Sequence, residues 1–147
     1  GVTFDYIARA GGDWTGTSTG ATIINGRRIY SLRGGAASTL DYYDIPSNTW
    51  TSAIAYGGVA ETFTTGASAC YDGGEYLYVQ KDATGRIFRI ALRQTAIEGW
   101  STNLYAQGAA VVGQKLFMVD YVDGATTIKW LHMARNTGTE FFRCLVI

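Results

Sequence analysis

Short apolar stretches alternate with polar or glycine-containing turns along the whole chain of 147 residues. Three of these stretches, at residues 28–32, 76–79 and 116–119, are near-continuous apolar runs. Runs of this kind are typical of strands that are buried on both faces. No stretch has apolar residues at the three- and four-residue spacing of an amphipathic helix. The pattern therefore predicts an all-β fold of short strands joined by tight turns.

A Gly-Ala pair marks a repeat of this arrangement. Three similar segments begin with this pair, at residues 20–21, 66–67 and 108–109, at intervals of 46 (20 to 66) and 42 (66 to 108) residues. After each pair the chain reads as four strands, the last of which carries a large aromatic residue. The turn at Asn25-Gly26 is a strong hairpin signal, because both central residues of a type I′ turn need positive φ. Such intervals are typical of β-propeller blades, each an antiparallel four-stranded meander.

Three full units and a leading half unit account for the chain. The full units are predicted at residues 19–56, 64–106 and 108–147, and residues 1–15 match the third and fourth strands of a unit. The whole chain is therefore predicted to be one domain, 1–147, of about three and a half blades. Closed propellers have about four to eight blades, so the open faces and edges need covering. Association of copies, a longer parent protein and a sandwich of another kind are the alternatives.

The first unit resembles a kelch repeat. The likeness is carried by INGRRIY at residues 24–30, GG at 34–35, YD at 43–44 and NTWT at 48–51. The second unit has Lys81-Asp82 in place of the double glycine, and the third has Asp120 there. The third unit also has Phe141 where the family has tryptophan. The resemblance implies antiparallel kelch-like blades that form a partial β-propeller.

A second resemblance links the chain to structural proteins of tailed bacteriophages. The segments YVQKDATGRIFR at residues 78–89 and RNTGTEFFR at 135–143 look like stretches of such proteins. This likeness implies a virion component that is associated with the tail or the capsid. It also implies an extracellular particle as the location of the protein.

The charge balance and the lengths of the apolar runs narrow the range of partners. The chain has 12 basic and 12 acidic residues, so its formal charge is zero. A protein that binds a phosphate backbone needs a basic surface, so we expect no nucleic-acid partner. No apolar run approaches the ~20 residues that a membrane-spanning helix needs, so we expect no membrane insertion.

Residues suited to catalysis or metal binding are sparse. His132 is the only histidine, and the only cysteines are Cys70 and Cys144. A catalytic triad that uses histidine, or a zinc site, needs several such groups together. We interpret His132 as structural, both cysteines as buried free thiols, and Asp120 to Gly124 as turn chemistry rather than a calcium loop. The sequence predicts no enzyme activity, metal or cofactor, although a carboxylate pair formed across blades stays an alternative.

Large aromatic residues at matching repeat positions are predicted to pack the blades together. These residues are Trp14, Trp50, Trp100, Phe141, Tyr30, Tyr78 and Phe117. Other tyrosines are candidates for contact with a ligand or glycan: Tyr42, Tyr56, Tyr105 and Tyr121. The leading hypothesis is a non-catalytic structural and interaction module that assembles with other protein subunits. The alternative is a carbohydrate-binding module that recognises cell-surface glycans.

Overall fold

The computed structural model describes ten stretches of the chain. They are residues 21–24, 27–32, 39–55, 57–58, 61–63, 67–81, 86–93, 96–101, 115–134 and 141–146. All regular structure in these stretches is β-strand, in three sheets, so the prediction of an all-β fold is confirmed.

The first sheet is an antiparallel meander in sequence order. Its strands are β1 (Ala21–Ile24), β2 (Arg28–Leu32), β3 (Thr39–Asp44) and β4 (Thr49–Ala55). Asn48 ends the turn between β3 and β4 with a φ of 53°, a left-handed conformation that asparagine tolerates. The Tyr43 hydroxyl donates to Asn48 Oδ1 at 2.7 Å, which fixes this turn against the sheet.

The second sheet lies in the order β5-β9-β8-β7-β6. Its strands are β5 (Gly57–Gly58), β6 (Ser68–Tyr71), β7 (Tyr76–Gln80), β8 (Ile87–Ala91) and β9 (Ala96–Ser101). All neighbours are antiparallel except β5, which pairs in parallel with β9. In the turn between β6 and β7, Asp72 Oδ1 accepts hydrogen bonds from the backbone N–H of Gly74 and Tyr76, at 2.7 and 3.1 Å. The aspartate side chain thus holds the hairpin closed.

The third sheet has three described strands, β10 (Lys115–Asp123), β11 (Thr126–Ala134) and β12 (Phe141–Val146). The interpretation of Asp120 to Gly124 as a turn is wrong for residues 120–123, because β10 runs on to Asp123 and β11 begins at Thr126. Tyr121 and Val122 favour strand structure. The chain therefore turns only at Gly124 (φ 60°) and the residue after it. The result is a hairpin with two arms of nine residues each.

The three sheets pack face to face, with the second sheet in the middle. Alternation along β7 directs Leu77 and Val79 towards the first sheet, where they join a core that includes Leu32 and Leu40. Tyr78 points the other way, into a second core shared with the third sheet. That core also contains Ile87, Leu116, Leu131 and Met133. Strand β7 of the middle sheet is therefore buried on both faces, as its apolar run predicts.

The same prediction is wrong for residues 116–119 of the third sheet. Leu116 is buried, but Phe117 and Val119 are 37% and 40% exposed. One face of β10 packs on the second sheet, and within the described residues no further sheet lies on the other face. Here the apolar run correctly predicts a strand, but only one face of that strand is buried.

These strands do not establish a kelch propeller. The sheets have four, five and three described strands, and they form no closed ring within the described residues. The predicted half unit at residues 1–15 and the first residues of the predicted unit at 108–147, as far as residue 114, lie outside those residues. The proposed blade boundaries therefore stay predictions.

We predict that Phe88→Ala lowers the free energy of unfolding by about 3–5 kcal/mol, because it leaves a cavity in the core. Phe88 is 0% exposed, and its ring lies 5.8 Å from that of Phe63. Phe141→Ala removes the same atoms from a side chain that is 57% exposed and should cost about 1 kcal/mol or less. Urea unfolding of both variants at low protein concentration gives the comparison. Equal losses would contradict the core position of Phe88.

Candidate functional site

The outward face of the third sheet carries most of the exposed large apolar side chains among the described residues. Strand alternation and register place nine side chains on it, and together they define what we call the open face. They are Phe117, Val119, Tyr121, Ile128, Trp130, His132, Phe141, Arg143 and Leu145. Five of them are large apolar side chains that are 37–57% exposed. On the order of 400 Å² of apolar surface is thus open to solvent, within the range typical of functional patches.

An aromatic cluster lies at one end of the open face. The His132 ring stacks on Phe117 at 5.2 Å with an interplanar angle of 13°. Phe141 lies 5.2 Å from His132 and 5.7 Å from Phe117, measured between ring centroids. The Nδ1 atom of His132 is buried and has no hydrogen-bond partner in the part of the chain that the structure describes. Such an atom costs about 1–3 kcal/mol until something satisfies it.

Trp130 occupies the middle of the open face, between Val119 on β10 and Leu145 on β12. The Arg143 guanidinium lies 4.6 Å from the Trp130 ring, in the range of a cation–π contact. This contact holds the arginine flat against the face. The centre of the face is therefore apolar, with a cationic group at its side.

The hairpin of β10 and β11 extends beyond the core that supports its base. Near its tip Tyr121 on the open face and Val122 on the opposite face are 56% and 65% exposed. On that opposite face Lys129 Nζ pairs with Asp120 Oδ1 at 3.0 Å. The two sides of the tip thus differ, since one is apolar and aromatic and the other carries an ion pair.

A second candidate site is a cleft where the turn before β2 meets the second sheet. Asp44 organises its first wall. The N–H and hydroxyl of Ser47 donate to Asp44 Oδ1 at 3.2 and 3.0 Å, and the Nε atoms of Arg27 and Arg28 both donate to Oδ2 at 3.2 Å. Burial alone would raise the pKa of Asp44, but these hydrogen bonds outweigh it and lower the pKa to about 2. The carboxylate is therefore ionised and holds both guanidinium groups.

The other wall of this arginine cleft comes from the second sheet. It consists of Gly74 and Glu75 from the β6–β7 turn and of Leu92 and Arg93 after β8. The cleft has a volume of about 570 Å³. Three guanidinium groups thus face a space with two carboxylates nearby, which suits a ligand that carries an oxyanion.

The predicted packing residues are found in three kinds of environment. Tyr30 and Tyr78 are buried in the two cores. Trp50 is half-buried and its ring lies 5.3 Å from that of Tyr43. Phe117 and Phe141 lie on the open face. Two further predicted residues lie outside what the structure describes, namely Trp14 altogether and Trp100 in its side chain.

The two predicted glycan-contact tyrosines that the structure describes do not share one site. Tyr42 is half-buried in the first sheet, with the Arg28 guanidinium 4.3 Å from its ring centroid. Tyr121 is exposed at the tip of the third sheet. Tyr56 and Tyr105 lie outside the described residues. Tyr42 and Tyr121 therefore belong to different surfaces.

Several members of both sites were missed in the sequence. Trp130, Arg143 and Leu145 belong to the open face, and Arg27 with Asp44 to the arginine cleft. Alternation along β11 and β12 could have identified the residues of the open face, because it puts apolar side chains on both faces of these strands. No local signal joins Arg27 to Asp44, because 17 residues separate them.

The thiols and acidic groups suggest no further reactive centre. Burial, helped by the charge of Asp72, raises the pKa of Cys70 to about 12, and burial also raises the pKa of Cys144. Both are free thiols. Within the described stretches no three metal-binding side chains come together. Those stretches also contain no helix long and apolar enough to cross a membrane.

Comparisons with known proteins give this chain no family. No protein-family model matches its sequence. No curated protein shows significant similarity to it. The kelch and bacteriophage resemblances therefore stay predictions.

We predict that Asp44→Asn weakens the acid dependence of stability. The folded pKa of Asp44 lies below the ordinary value of 3.8, so its ionised form favours the folded state above that value and loses this effect as the pH falls towards 2. The variant should be less stable than the native chain at neutral pH. Its free energy of unfolding, measured by urea titration, should also fall less steeply between about pH 4 and pH 2.

The control for this experiment is Asp120→Asn. Asp120 is half exposed and pairs with Lys129, and such surface pairs contribute little. Its stability should follow the native pH dependence. Parallel curves for Asp44→Asn and the native chain would show that Asp44 does not have this role.

Proposed function

We propose that this protein is a non-catalytic structural and interaction module that assembles with other protein subunits through the open face. The proposal includes kelch-like blades as the scaffold and a tailed-phage virion, in its tail or capsid-associated parts, as the setting. The scaffold and the setting rest on the two sequence resemblances. The assembly role rests on the contacts of the third sheet.

The observation that carries the proposal is the apolar character of an exposed sheet face. Elsewhere among the described sheets, apolar faces such as that of Leu77 and Val79 are buried against a neighbouring sheet. On the open face Tyr121 and Phe141 stay 56% and 57% exposed. Covering this surface removes apolar area from water, which favours association at about 25 cal/mol per Å². A protein surface is the partner with matching chemistry.

The architecture supports a passive mechanism. Leu116, Leu131 and Met133 anchor the third sheet to the middle sheet, and the Leu116 N–H donates to Ser68 Oγ at 2.9 Å across the sheets. The open face is therefore presented on a rigid support. A preformed surface of this kind loses little conformational entropy when a partner binds.

We predict that Val119→Lys and Tyr121→Lys each reduce the average mass of the assembled protein to that of a single chain. A charge at the centre of an apolar interface costs desolvation without a partner. Sedimentation velocity over a concentration series measures the effect. Val122→Lys is the matched control, since Val122 lies on the same hairpin, is 65% exposed and faces the other way.

Two results would contradict the assembly role. One is a native chain that has the mass of a monomer at every concentration. The other is an equal loss of association in the Val122→Lys control, which would point to a general charge effect instead of the open face.

The alternative function, glycan recognition, is favoured by the arginine cleft. Arg27 Nε donates to Asp44 Oδ2 at 3.2 Å, Arg93 Nε lies 3.8 Å from Glu75 Oε1, and the terminal Nη groups of both arginines have no acceptor among the described residues. Tyr30 adds a hydroxyl to the cleft. Guanidinium forks of this kind bind carboxylates in pairs of hydrogen bonds. The glycan of this alternative is therefore a sugar that carries a carboxylate.

For this alternative we predict binding of acidic glycans in preference to their neutral counterparts on a glycan array. The double variant Arg27→Ala with Arg93→Ala should bind them at least about tenfold more weakly, because two charge-assisted contacts are lost. Tyr121→Ala, on another sheet, is the control and should bind like the native chain. Absence of binding to any acidic glycan would exclude this function.

A further inference from the structure

We infer that the partner of the open face is the open face of a second copy of this chain, in a two-fold symmetric pair. This inference rests on the assembly role proposed above and specifies its partner. In the pair, the hairpin tip of each copy lies over the opposite end of the open face of the other. The argument uses the two ends of the sheet stack, the charges around the open face and the area available.

The two ends of the stack of sheets differ. On the outward face of the first sheet Ser31, Asp41 and Tyr43 are at most 7% exposed. Ile29 and Trp50 on the same face are half-buried, so its described part presents less apolar surface to another molecule than the open face does. A head-to-tail pair would place the open face of one copy on the outward face of the first sheet of the next copy. The apolar side chains of the open face would then have few apolar partners. A symmetric pair of two open faces matches apolar surface with apolar surface.

Charges of opposite sign border the two ends of the open face. Asp123 ends β10 at the hairpin tip, and its pair Thr126 is uncharged. At the other end lies Lys115, on the same side of β10, while Arg143 on β12 adds a positive charge beside Trp130 in the middle of the face. None of these three charged side chains has an ion-pair partner among the described residues. The face is thus acidic at its tip and basic at its base.

A two-fold axis that crosses the strands near Val119 and Trp130 brings groups of opposite charge together at both ends of the open face. Rotation about this axis reverses the strand direction of the second copy. The acidic tip of each copy then lies over the basic end of the other, and the aromatic rows between them pack face to face. Sheets that pack in this way keep their strands within about 30° of each other, a range that the long side chain of Lys115 can bridge.

The area of the open face suits a reversible pair. The five exposed apolar side chains present on the order of 400 Å², about half of what one partner buries in an interface of standard size. The half-buried Ile128, Trp130 and His132 add to this area. A dissociation constant of about 1–100 µM is therefore expected, and because the end charges attract one another, association should weaken at high salt.

Charge reversal tests the pairing directly. Asp123→Arg makes the tip basic, whereas Lys115→Asp makes the other end acidic. In either variant alone two copies repel at both ends, so self-association should weaken by about tenfold or more. In an equimolar mixture every tip again meets an end of opposite sign. The mixture should therefore form a mixed dimer with close to native affinity, measured by sedimentation of one labelled variant titrated with the other.

Asp120→Arg is the control, because it makes the same charge change on the opposite side of the same hairpin. It should dimerise like the native chain. Native assemblies larger than two chains, or a mixture that associates no better than its components, would overturn this inference. If Val119→Lys still abolishes assembly in that case, the assembly role stands without the two-fold pairing. A native chain that is monomeric throughout would overturn both.

Discussion

The middle sheet determines how this protein is organised, because both of its faces must be buried. Along β7 the side chains alternate, so Leu77 and Val79 pack against the first sheet while Tyr78 packs against the third. One strand thus contributes to two separate cores. Neither outer sheet has a comparable central position, and each depends on the middle sheet for one covered face.

This layered packing creates the difference between the two outer sheets. Both have one face on the middle sheet, but their outward faces differ, since Asp41 and Tyr43 of the first sheet are buried and Tyr121 and Phe141 of the third are exposed. Within the described part of the chain, much of the apolar surface of the third sheet therefore stays exposed to solvent. The assembly that we propose through that face would be driven by the same hydrophobic effect that joins the sheets inside the molecule.

The arginine cleft is a second product of the same packing. Asp44 draws Arg27 and Arg28 together at the end of the first sheet, and the neighbouring turns of the second sheet bring Arg93 to the opposite wall. A carboxylate with several hydrogen-bond donors holds its charge and fixes the guanidinium groups around it. The two surfaces have different chemistry, one apolar and one cationic, and they lie on different sheets.

The sequence by itself determined the local structure of this protein. Its apolar runs and glycine turns specify strands without helices, and Asp72 with the glycines after it specifies the turn between β6 and β7. Tertiary structure alone decided which strand faces are covered. The runs at 76–79 and 116–119 read alike, yet Val79 is 0% exposed and Val119 is 40% exposed. The physical reason is that alternation defines the two faces of a strand, whereas burial depends on which sheet packs against each face, and that is a long-range property of the chain.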